Sequence, residues 1–329
     1  MSDRAVSLAP SAVVRVGYQP LNLASPLAKD VLAAVTFGQV PAGADPRFVR
    51  VGLEPLGGAS VMEVWRANGT VTSGSSGAIR YAADEHHLFG VLEIDERTHG
   101  GITGAAESAY SALRQFLGEC GRPHLLRVWN YFDAINRGTG DEERYKQFCV
   151  GRATGLGAWP AESYPAATVI GRRDGDPRLQ VYWLCGRKAG VPIDNPRQTN
   201  PHRYPRQYGP RAPQFSRAML VGSRLVLISG TASIVGHASH HPDDVESQTA
   251  EVINNLGSVL HKASGAAPGL SVRFGAHSPL KVYLRDPAAF EKVDTALREA
   301  LPTETPRIVL VGDVCRADLL VEADGVHAP

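Results

Sequence analysis

The sequence lacks two features that would point directly to a class of protein. No apolar run approaches the roughly 18 residues that span a membrane. The formal net charge is only +1, from 34 Lys and Arg against 33 Asp and Glu. We therefore expect neither a membrane protein nor a nucleic-acid-binding one. The first residues also lack the apolar stretch of a secretory signal, so we expect a cytoplasmic location.

Cysteine and recognisable motifs are also scarce. The chain has four cysteines without a CxxC pair, namely Cys120, Cys149, Cys185 and Cys315. In a chain of this length, such isolated thiols are expected to be reduced. No GxSxG, Walker or Rossmann glycine pattern occurs. His237, His240 and His241 are close together but lack a Cys or carboxylate at a usual ligand spacing, so we interpret them as surface residues. We expect no metal and no organic cofactor.

A repeated pattern of strands and helices is present instead. Residues 225–260 predict a strand, a turn and an amphipathic helix, and the strand LKVYL, a second helix and the strands RIVLVGDVC and ADLLVEADG follow. The first half has a related order in HLFGVLEIDE, TGAAESAYSALRQFLGECG, HLLRVWNYFD and EERYKQFCVGR. This repeat predicts an α+β fold in which two similar units pack helices on mixed β-sheets. We place the domain boundary between residues 155 and 156, which gives domains 1–155 and 156–329.

A long loop, residues 186–218, lies in the second domain. It contains six Arg and six Pro, with Tyr204 and Tyr208, but only one acid, Asp194. Loops of this length inside compact chains are usually functional or linkers. Proline stiffens the backbone, and arginine carries a rigid donor fork that suits carboxylates and phosphates. The loop could bind an anionic ligand or could be a solvated basic connector, and composition alone does not separate these interpretations.

The C-terminal segment VCRADLLVEADG places one carboxyl group, Glu322, in an apolar strand. Such a glutamate is either exposed at a strand edge or buried for a purpose, and exposure is the commoner case. Cys315 lies just upstream, where a small buried core thiol is the ordinary interpretation. Ser229 and Ser233 have no sequence context that marks a nucleophile.

Several of these segments resemble known families. ISGTASIVG, DDVESQTAEVINNL, LKVYLRD and PRIVLVGDVCRADLLVEADG resemble the YjgF/RidA superfamily. RVWNYFDAIN, RYKQFCVGR and NPRQTNPHRYPRQYGPRAPQFSRA make nearly the whole chain resemble the chorismatases, chorismate-converting enzymes built on a YjgF-like scaffold. The resemblance implies two YjgF/RidA-like units, the second of them catalytic. It also implies that SGTASIVG forms the floor of a ligand pocket and is not a nucleophile motif.

The resemblance implies chemistry that these residues could perform. Chorismate carries two carboxylates, so its pocket needs fixed cations. We expect these from Arg152, Arg206, Arg211 and Arg217, with hydroxyl donors from Tyr204 and Tyr208. Cleavage of the enolpyruvyl ether needs a proton at the terminal methylene, which a carboxylic acid kept neutral by apolar surroundings could supply. We expect Glu322 to be that acid.

Two further positions bear on the product. In the chorismatases, Gly after the serine of the SG turn and Cys seven residues before the acid accompany formation of 3-hydroxybenzoate, and this chain has Gly230 and Cys315. We therefore expect 3-hydroxybenzoate and pyruvate from chorismate. Alternatives are a hydrolase that yields a dihydroxycyclohexadiene carboxylate, 4-hydroxybenzoate as a second product, a RidA-like enamine/imine deaminase, or a non-catalytic binder. Because a duplicated chain can replace subunit contacts internally, we expect a monomer.

Overall fold

The computed structural model describes residues 14–41, 45–58 and 60–329. The first residues, on which the expectation of no secretory signal depends, lie largely outside this part. The chain begins with a sheet of four strands in the order β1-β4-β2-β3. These strands are β1 (Arg15–Pro20), β2 (Val31–Phe37), β3 (Phe48–Val51) and β4 (Val61–Arg66).

A second sheet, of six strands, carries the first pair of helices. Its elements are β5 (Thr72–Ser76), β6 (Ile79–Ala83), β7 (His87–Asp95), α1 (Gly101–Glu119), β8 (His124–Asp133), α2 (Arg144–Leu156), β9 (Ala166–Arg172) and β10 (Arg178–Gly186). The strand order is β5-β6-β7-β10-β8-β9. Only β8 and β9 are parallel, and the other neighbours are antiparallel.

The third sheet repeats this arrangement. Its elements are β11 (Val191–Ile193), β12 (Ala218–Val221), β13 (Leu225–Ala232), the small ribbon of β14 (Ile234–Val235) and β15 (Ala238–Ser239), α3 (Val245–Ala266), β16 (Leu280–Leu284), α4 (Phe290–Ala300), β17 (Arg307–Val311) and β18 (Val321–His327). The order β11-β12-β13-β18-β16-β17 matches the second sheet position by position, and again only the last pair is parallel. The predicted α+β fold with a duplicated unit and helices on mixed sheets is confirmed.

The two repeated units meet later in the chain than the expected boundary between residues 155 and 156. The strands β9 and β10 follow that boundary, yet they hydrogen-bond to β8 and β7 in the second sheet. The third sheet starts with β11, so the change of unit falls between β10 and β11. The sequence pattern missed this because it ended the first copy at its second helix, before the two strands that complete the sheet.

The first sheet is a reduced version of the same unit, which the sequence did not predict. Its order β1-β4-β2-β3 corresponds to β7-β10-β8-β9 of the second sheet, and the pair β2/β3 is parallel like β8/β9. In this reduced unit no helix follows either β1 or β2 within the described residues. Its outer face is covered by Leu21, Leu23 and Leu27, where the other units carry helices.

One apolar core joins the inner faces of the three sheets. Trp65 of β4, Trp129 of β8 and Tyr283 of β16 all belong to it, and the rings of Trp65 and Trp129 lie 5.3 Å apart. The outer faces of the second and third sheets are buried under their own helices. A backbone bridge between Ala166 and Ser216 connects the edge of the second sheet to the third unit.

The longest helix, α3, has a capped N-terminus and an apolar face. Asp244 is the N-cap, and its carboxylate accepts a hydrogen bond from the Ser247 amide at 3.0 Å. Val252, Leu256 and Val259 are buried against the third sheet. Among the helices of the described part, none combines the length and apolar character that crossing a membrane requires.

Candidate active site

A cavity of about 300 Å³ lies between the second and third units. Its walls come from α2, β9, β13 and β18, from the loop 186–218 and from the segment 315–317. This volume is at the small end of the range for small-molecule sites. Of the nine residues proposed from the sequence, seven line the cavity: Arg152, Tyr204, Tyr208, Arg217, Gly230, Cys315 and Glu322.

Glu322 lies on the inner face of β18, paired across the sheet with Tyr283 of β16 and Ala232 of β13. Its side chain is buried, with 5% of the residue exposed. Burial, together with the nearby carboxylate of Asp324, raises the pKa of Glu322 to about 8, against the opposing effect of Arg127 and Arg217. The carboxyl is therefore protonated at neutral pH and can donate its proton into the cavity.

Gly230 lies in an irregularity of β13, where the pairing with β18 changes register between Ile228 and Thr231. A Cβ at position 230 would overlap the carboxyl group of Glu322 and lie 3.4 Å from Oγ1 of Thr168. Only glycine therefore leaves the acid in its observed position.

The neighbouring Ser229 has a structural role. Its hydroxyl accepts a hydrogen bond from the Ala167 amide at 2.9 Å and donates one to the Ser216 carbonyl at 2.5 Å. The side chain is fully buried. Ser229 thus fastens the third unit to the edge of β9, in agreement with the expectation that the SG turn forms a floor and is not a nucleophile motif. Ser233 is similarly engaged, through a bond to the His240 carbonyl.

Two thiols line the cavity. Burial raises the pKa of Cys315 to about 12, and the proximity of Glu322 adds to the effect. Burial also raises the pKa of Cys149, on α2, to about 12. Both side chains are neutral thiols at physiological pH, so neither is a preformed thiolate nucleophile.

Two buried arginines from different elements line the cavity. Arg152, on α2, donates from Nη2 to the Gln214 carbonyl at 2.9 Å. Arg217, at the end of the loop 186–218, donates from Nη2 to the Thr199 carbonyl at 2.9 Å and to the Tyr204 hydroxyl at 2.6 Å. Both residues are 2% exposed, and the buried Nε of each has no hydrogen-bond partner among the described residues. Donors left unsatisfied in this way suit an anionic ligand.

Arg316 and Lys146 also line the cavity, and sequence reasoning missed both. The guanidinium carbon of Arg316 lies 3.9 Å from the ring centre of Tyr208, and its Nη1 donates to the His237 carbonyl at 2.9 Å. Lys146 pairs with Glu143 at 3.2 Å. Within the described chain, Arg152, Arg217 and Arg316 have no carboxylate partner. The sequence did offer one indication that Arg316 lies at the site, because it directly follows Cys315, which was proposed as a site residue.

The other two expected arginines lie outside the lining. Arg206 forms a bidentate ion pair with Asp141 on the surface. Its Nη1 and Nη2 donate to the two carboxylate oxygens at 2.9 and 2.5 Å. Arg211 is exposed. The pair between Arg206 and Asp141 joins the loop 186–218 to the short turn before α2, so Arg206 is already engaged in holding the loop in place. Neither side chain is positioned as a ligand of the cavity.

The three histidines are not arranged as a metal site. Nδ1 of His237 lies 3.2 Å from the Tyr208 hydroxyl, while the rings of His240 and His241 meet edge to face with their centres 6.0 Å apart. Across the described residues, no group of three or more His, Cys, Asp or Glu side chains is placed to hold a metal ion.

Comparison with known proteins adds independent findings. The family model described as chorismatase FkbO/Hyg5-like, N-terminal, matches residues 63–185. A 3-hydroxybenzoate synthase of Streptomyces hygroscopicus is 36% identical over 277 residues, which cover 80% of each chain. A chorismatase of Streptomyces rapamycinicus is 36% identical over 282 residues, covering 82% of this chain and 83% of that protein. A chorismatase crystal structure superposes with a TM-score of 0.86 at 30% identity, covering 96% of this chain and 99% of the other.

Proposed function

The chain belongs to the chorismatase family, and on that premise we propose that it converts chorismate to 3-hydroxybenzoate and pyruvate. One arrangement carries the proposal: the protonated carboxyl of Glu322 faces a cavity that contains three guanidinium groups without carboxylate partners. The two carboxylates of the substrate can pair with these guanidinium groups. Its acid-labile enolpyruvyl ether would then lie next to the carboxyl proton of Glu322.

We assign the two substrate carboxylates to Arg152, Arg217 and Arg316. Arg152 comes from α2 and Arg217 from the end of the loop 186–218, and neither has a carboxylate partner among the described residues, so together they can hold a molecule with two anionic groups. The hydroxyl of Tyr204 already accepts a bond from Arg217, which leaves its proton free to donate to the same carboxylate. Arg316 is fixed against the ring of Tyr208.

The reaction begins with proton transfer from Glu322 to the terminal methylene of the enolpyruvyl group. The new C–H bond leaves a cation that the ether oxygen shares, and Glu322 becomes a carboxylate. The hydroxyl at C4 of the substrate then attacks C3, the bond between C3 and the ether oxygen breaks, and pyruvate leaves. Loss of the hydroxyl proton gives an epoxide. Opening of the C4–O bond and loss of the ring proton complete 3-hydroxybenzoate, and no water is consumed.

The carboxylate of Glu322 is the natural acceptor for a proton released in these later steps. Its high pKa, which makes it a donor at neutral pH, also makes the conjugate base a competent acceptor. Because as many protons are released as are taken up, the enzyme returns to its starting state without exchange with solvent.

We propose that Cys315 assists aromatisation as a thiol. Its raised pKa means that it carries its proton while facing the intermediate. An S–H group can hydrogen-bond to the epoxide oxygen, or to the Glu322 carboxylate after proton transfer, which an alkyl side chain cannot do. Gly230 leaves room for the Glu322 carboxyl, and together with Cys315 it favours 3-hydroxybenzoate over the dihydrodiol.

The test is incubation of the purified protein with chorismate, a coupled assay for pyruvate and chromatography of the aromatic fraction. We expect equal amounts of pyruvate and 3-hydroxybenzoate. Glu322→Gln should lower turnover by about 10²–10⁴-fold, the usual contribution of acid catalysis. Arg211→Gln is a matched control on the exposed surface and should leave turnover unchanged. A dihydrodiol as sole product would refute the synthase assignment, and absence of pyruvate would refute the activity.

We also propose that the enzyme works as a monomer in the cytoplasm. Both walls of the cavity come from one chain, so no second subunit is needed to complete the site. All four cysteines are free, as is typical of proteins in reducing compartments. Analytical ultracentrifugation of the active protein would test the monomer, with a concentration-dependent higher mass as the contrary result.

A further inference from the structure

A fully buried cluster of charges lies behind Glu322, on the side away from the cavity. Lys281 of β16 lies between two carboxylates, 2.6 Å from Glu63 of β4 and 3.3 Å from Asp324 of β18. Arg127 of β8 contacts the other oxygen of Asp324 at 3.1 Å. The cluster therefore joins all three sheets.

The cluster pairs two cations with two carboxylates and has no cation to spare for a third acid. Glu322 lies two residues before Asp324 on the same face of β18, and no ion pair to it occurs within the described chain. Hydrogen bonds from the Thr168 and Tyr283 hydroxyls, both at 2.8 Å, fix the position of the Asp324 side chain beside Glu322. A second negative charge at Glu322 would therefore lie beside the Asp324 carboxylate without a cation of its own in the cluster.

We propose that Asp324 is a positioning residue that keeps the proton on Glu322, and that Glu63 of the N-terminal sheet supports it by engaging Lys281. Its catalytic consequence rests on the proposed function, in which Glu322 is the acid. The reduced N-terminal unit thus contributes to the chemistry without touching the cavity. The charge of Asp324 acts directly on Glu322, whereas Glu63 acts indirectly, through its ion pair with Lys281.

The groups that face Glu322 are consistent with this role. Arg217 and Cys315 face it from the cavity, and Arg127, Tyr283 and Asp324 from the sheets. Of these, Asp324 makes the largest electrostatic contribution to the raised pKa of Glu322, after burial itself. Burial disfavours the charge on Lys281, but Asp324 and Glu63 hold its pKa above the ordinary value, so Lys281 remains a cation.

A purely structural role for the cluster makes a different prediction. Buried ion pairs add little stability over apolar side chains of similar size, and loss of one partner destabilises regardless of which sign is removed. If the cluster instead controls the proton on Glu322, the direction of the pKa change depends on the sign of the charge that is removed. Removal of a carboxylate should lower the pKa of Glu322, whereas removal of the cation Lys281 should raise it.

The experiment compares Asp324→Asn, Glu63→Gln and Lys281→Met by two measurements. The first is the pH dependence of kcat/KM, whose upper limb reports the loss of the proton from the acid. The second is the infrared band of the Glu322 carboxylic acid, identified as the band missing from Glu322→Gln and followed as a function of pH. Circular dichroism of each variant checks that it is folded.

We expect Asp324→Asn to move both transitions at least about one pH unit lower, which is the lower end of the effect of a nearby like charge. At pH 8 its kcat/KM should fall at least about fivefold more than at pH 6. Glu63→Gln should move the transitions by less in the same direction, and Lys281→Met should move them higher. The double variant Glu63→Gln/Lys281→Met restores the balance of charge and should titrate close to the wild type.

Transitions at the wild-type pH in Asp324→Asn, or shifts of the same sign in Glu63→Gln and Lys281→Met, would overturn the inference. If Asp324→Asn does not fold, the isosteric Glu63→Gln and the double variant still show in which direction the Glu322 transition moves. The infrared titration does not depend on turnover. If Glu322→Gln remained active while the infrared shifts occurred, the proposed catalytic role would fail but the control of the proton would stand.

Discussion

The raised pKa of Glu322 has a consequence for stability that can be measured without substrate. The unfolded chain holds this carboxyl at its ordinary pKa of 4.5, whereas burial raises the pKa in the folded protein to about 8. Between these pH values the folded state retains a proton that the unfolded state has lost. The free energy of unfolding therefore falls as pH rises through this range, and the contribution of Glu322 is constant below pH 4.5 and above pH 8.

The size of the effect follows from the two pKa values. From pH 4.5 to pH 7 the penalty grows by about 1.4 kcal/mol per pH unit, or about 3 kcal/mol in all. Glu322→Gln has nearly the shape of the protonated acid and does not ionise, so it removes the penalty. We expect this variant to be more stable than the wild type at pH 7, by up to about 3 kcal/mol, and nearly equal to it at pH 4.5.

Urea unfolding of both proteins at several pH values between 4.5 and 8.5 would measure the difference directly. Glu143→Gln is a suitable control, because Glu143 also lines the cavity but pairs with Lys146, so its loss should not stabilise the protein. A difference between Glu322→Gln and the wild type that does not change with pH would refute the reasoning. It would mean that Glu322 ionises in the folded protein near its ordinary pKa.

Three further predictions concern catalysis. Gly230→Ala should lower turnover at least about tenfold, because its Cβ displaces the Glu322 carboxyl; unchanged kinetics would contradict the observed position of the acid. Arg152→Lys and Arg217→Lys should each raise KM about tenfold or more through loss of the guanidinium fork, while Arg211→Lys on the surface should not; equal KM values in all three variants would place the carboxylate clamp elsewhere. Cys315→Ala should shift the product from 3-hydroxybenzoate towards the dihydrodiol, and Cys149→Ala, which removes the other thiol of the cavity, should not; the same product mixture from both variants would exclude Cys315 as the determinant.

Local patterns predicted the repeated units well. The apolar spacing of α3 is a property of one segment, and the structure has the helix where the sequence places it. Glu322 could also be singled out, because a carboxyl in an apolar strand stands out against its neighbours. Its burial could not be predicted, because that depends on Thr168 and Gly230, which belong to two other strands.

The arginines mark the limit of reasoning from composition. Arg206 and Arg217 belong to the same basic loop, yet one pairs with Asp141 on the surface and the other is buried in the cavity. Asp141 precedes Arg206 by 65 residues, and nothing in the loop indicates that the two meet. Arg316 was missed for the complementary reason, since it lies outside the loop where arginines were expected.

The buried charge cluster next to Glu322 could not be predicted from the sequence either. Lys281 and Glu63 are 218 residues apart and belong to different sheets. A lysine and a glutamate within strands ordinarily indicate solvent-exposed positions. Their pairing depends on the inner faces of three sheets meeting in one core, and the first of those sheets lacks the helices that made the other two units recognisable.

The reduced N-terminal unit indicates which part of the repeated fold the active site requires. In its described residues this unit has no helices on the outer face, but it retains the inner face, where Trp65 packs on Trp129 and Glu63 binds Lys281. Helices on that outer face would stabilise only their own sheet, whereas the inner face excludes water from the core that Glu322 shares. Burial and the neighbouring Asp324 carboxylate favour the protonated form of Glu322, and they outweigh the opposing effect of Arg127 and Arg217. On this proposal the N-terminal sheet helps to maintain the environment of the acid, although none of its described residues lines the cavity.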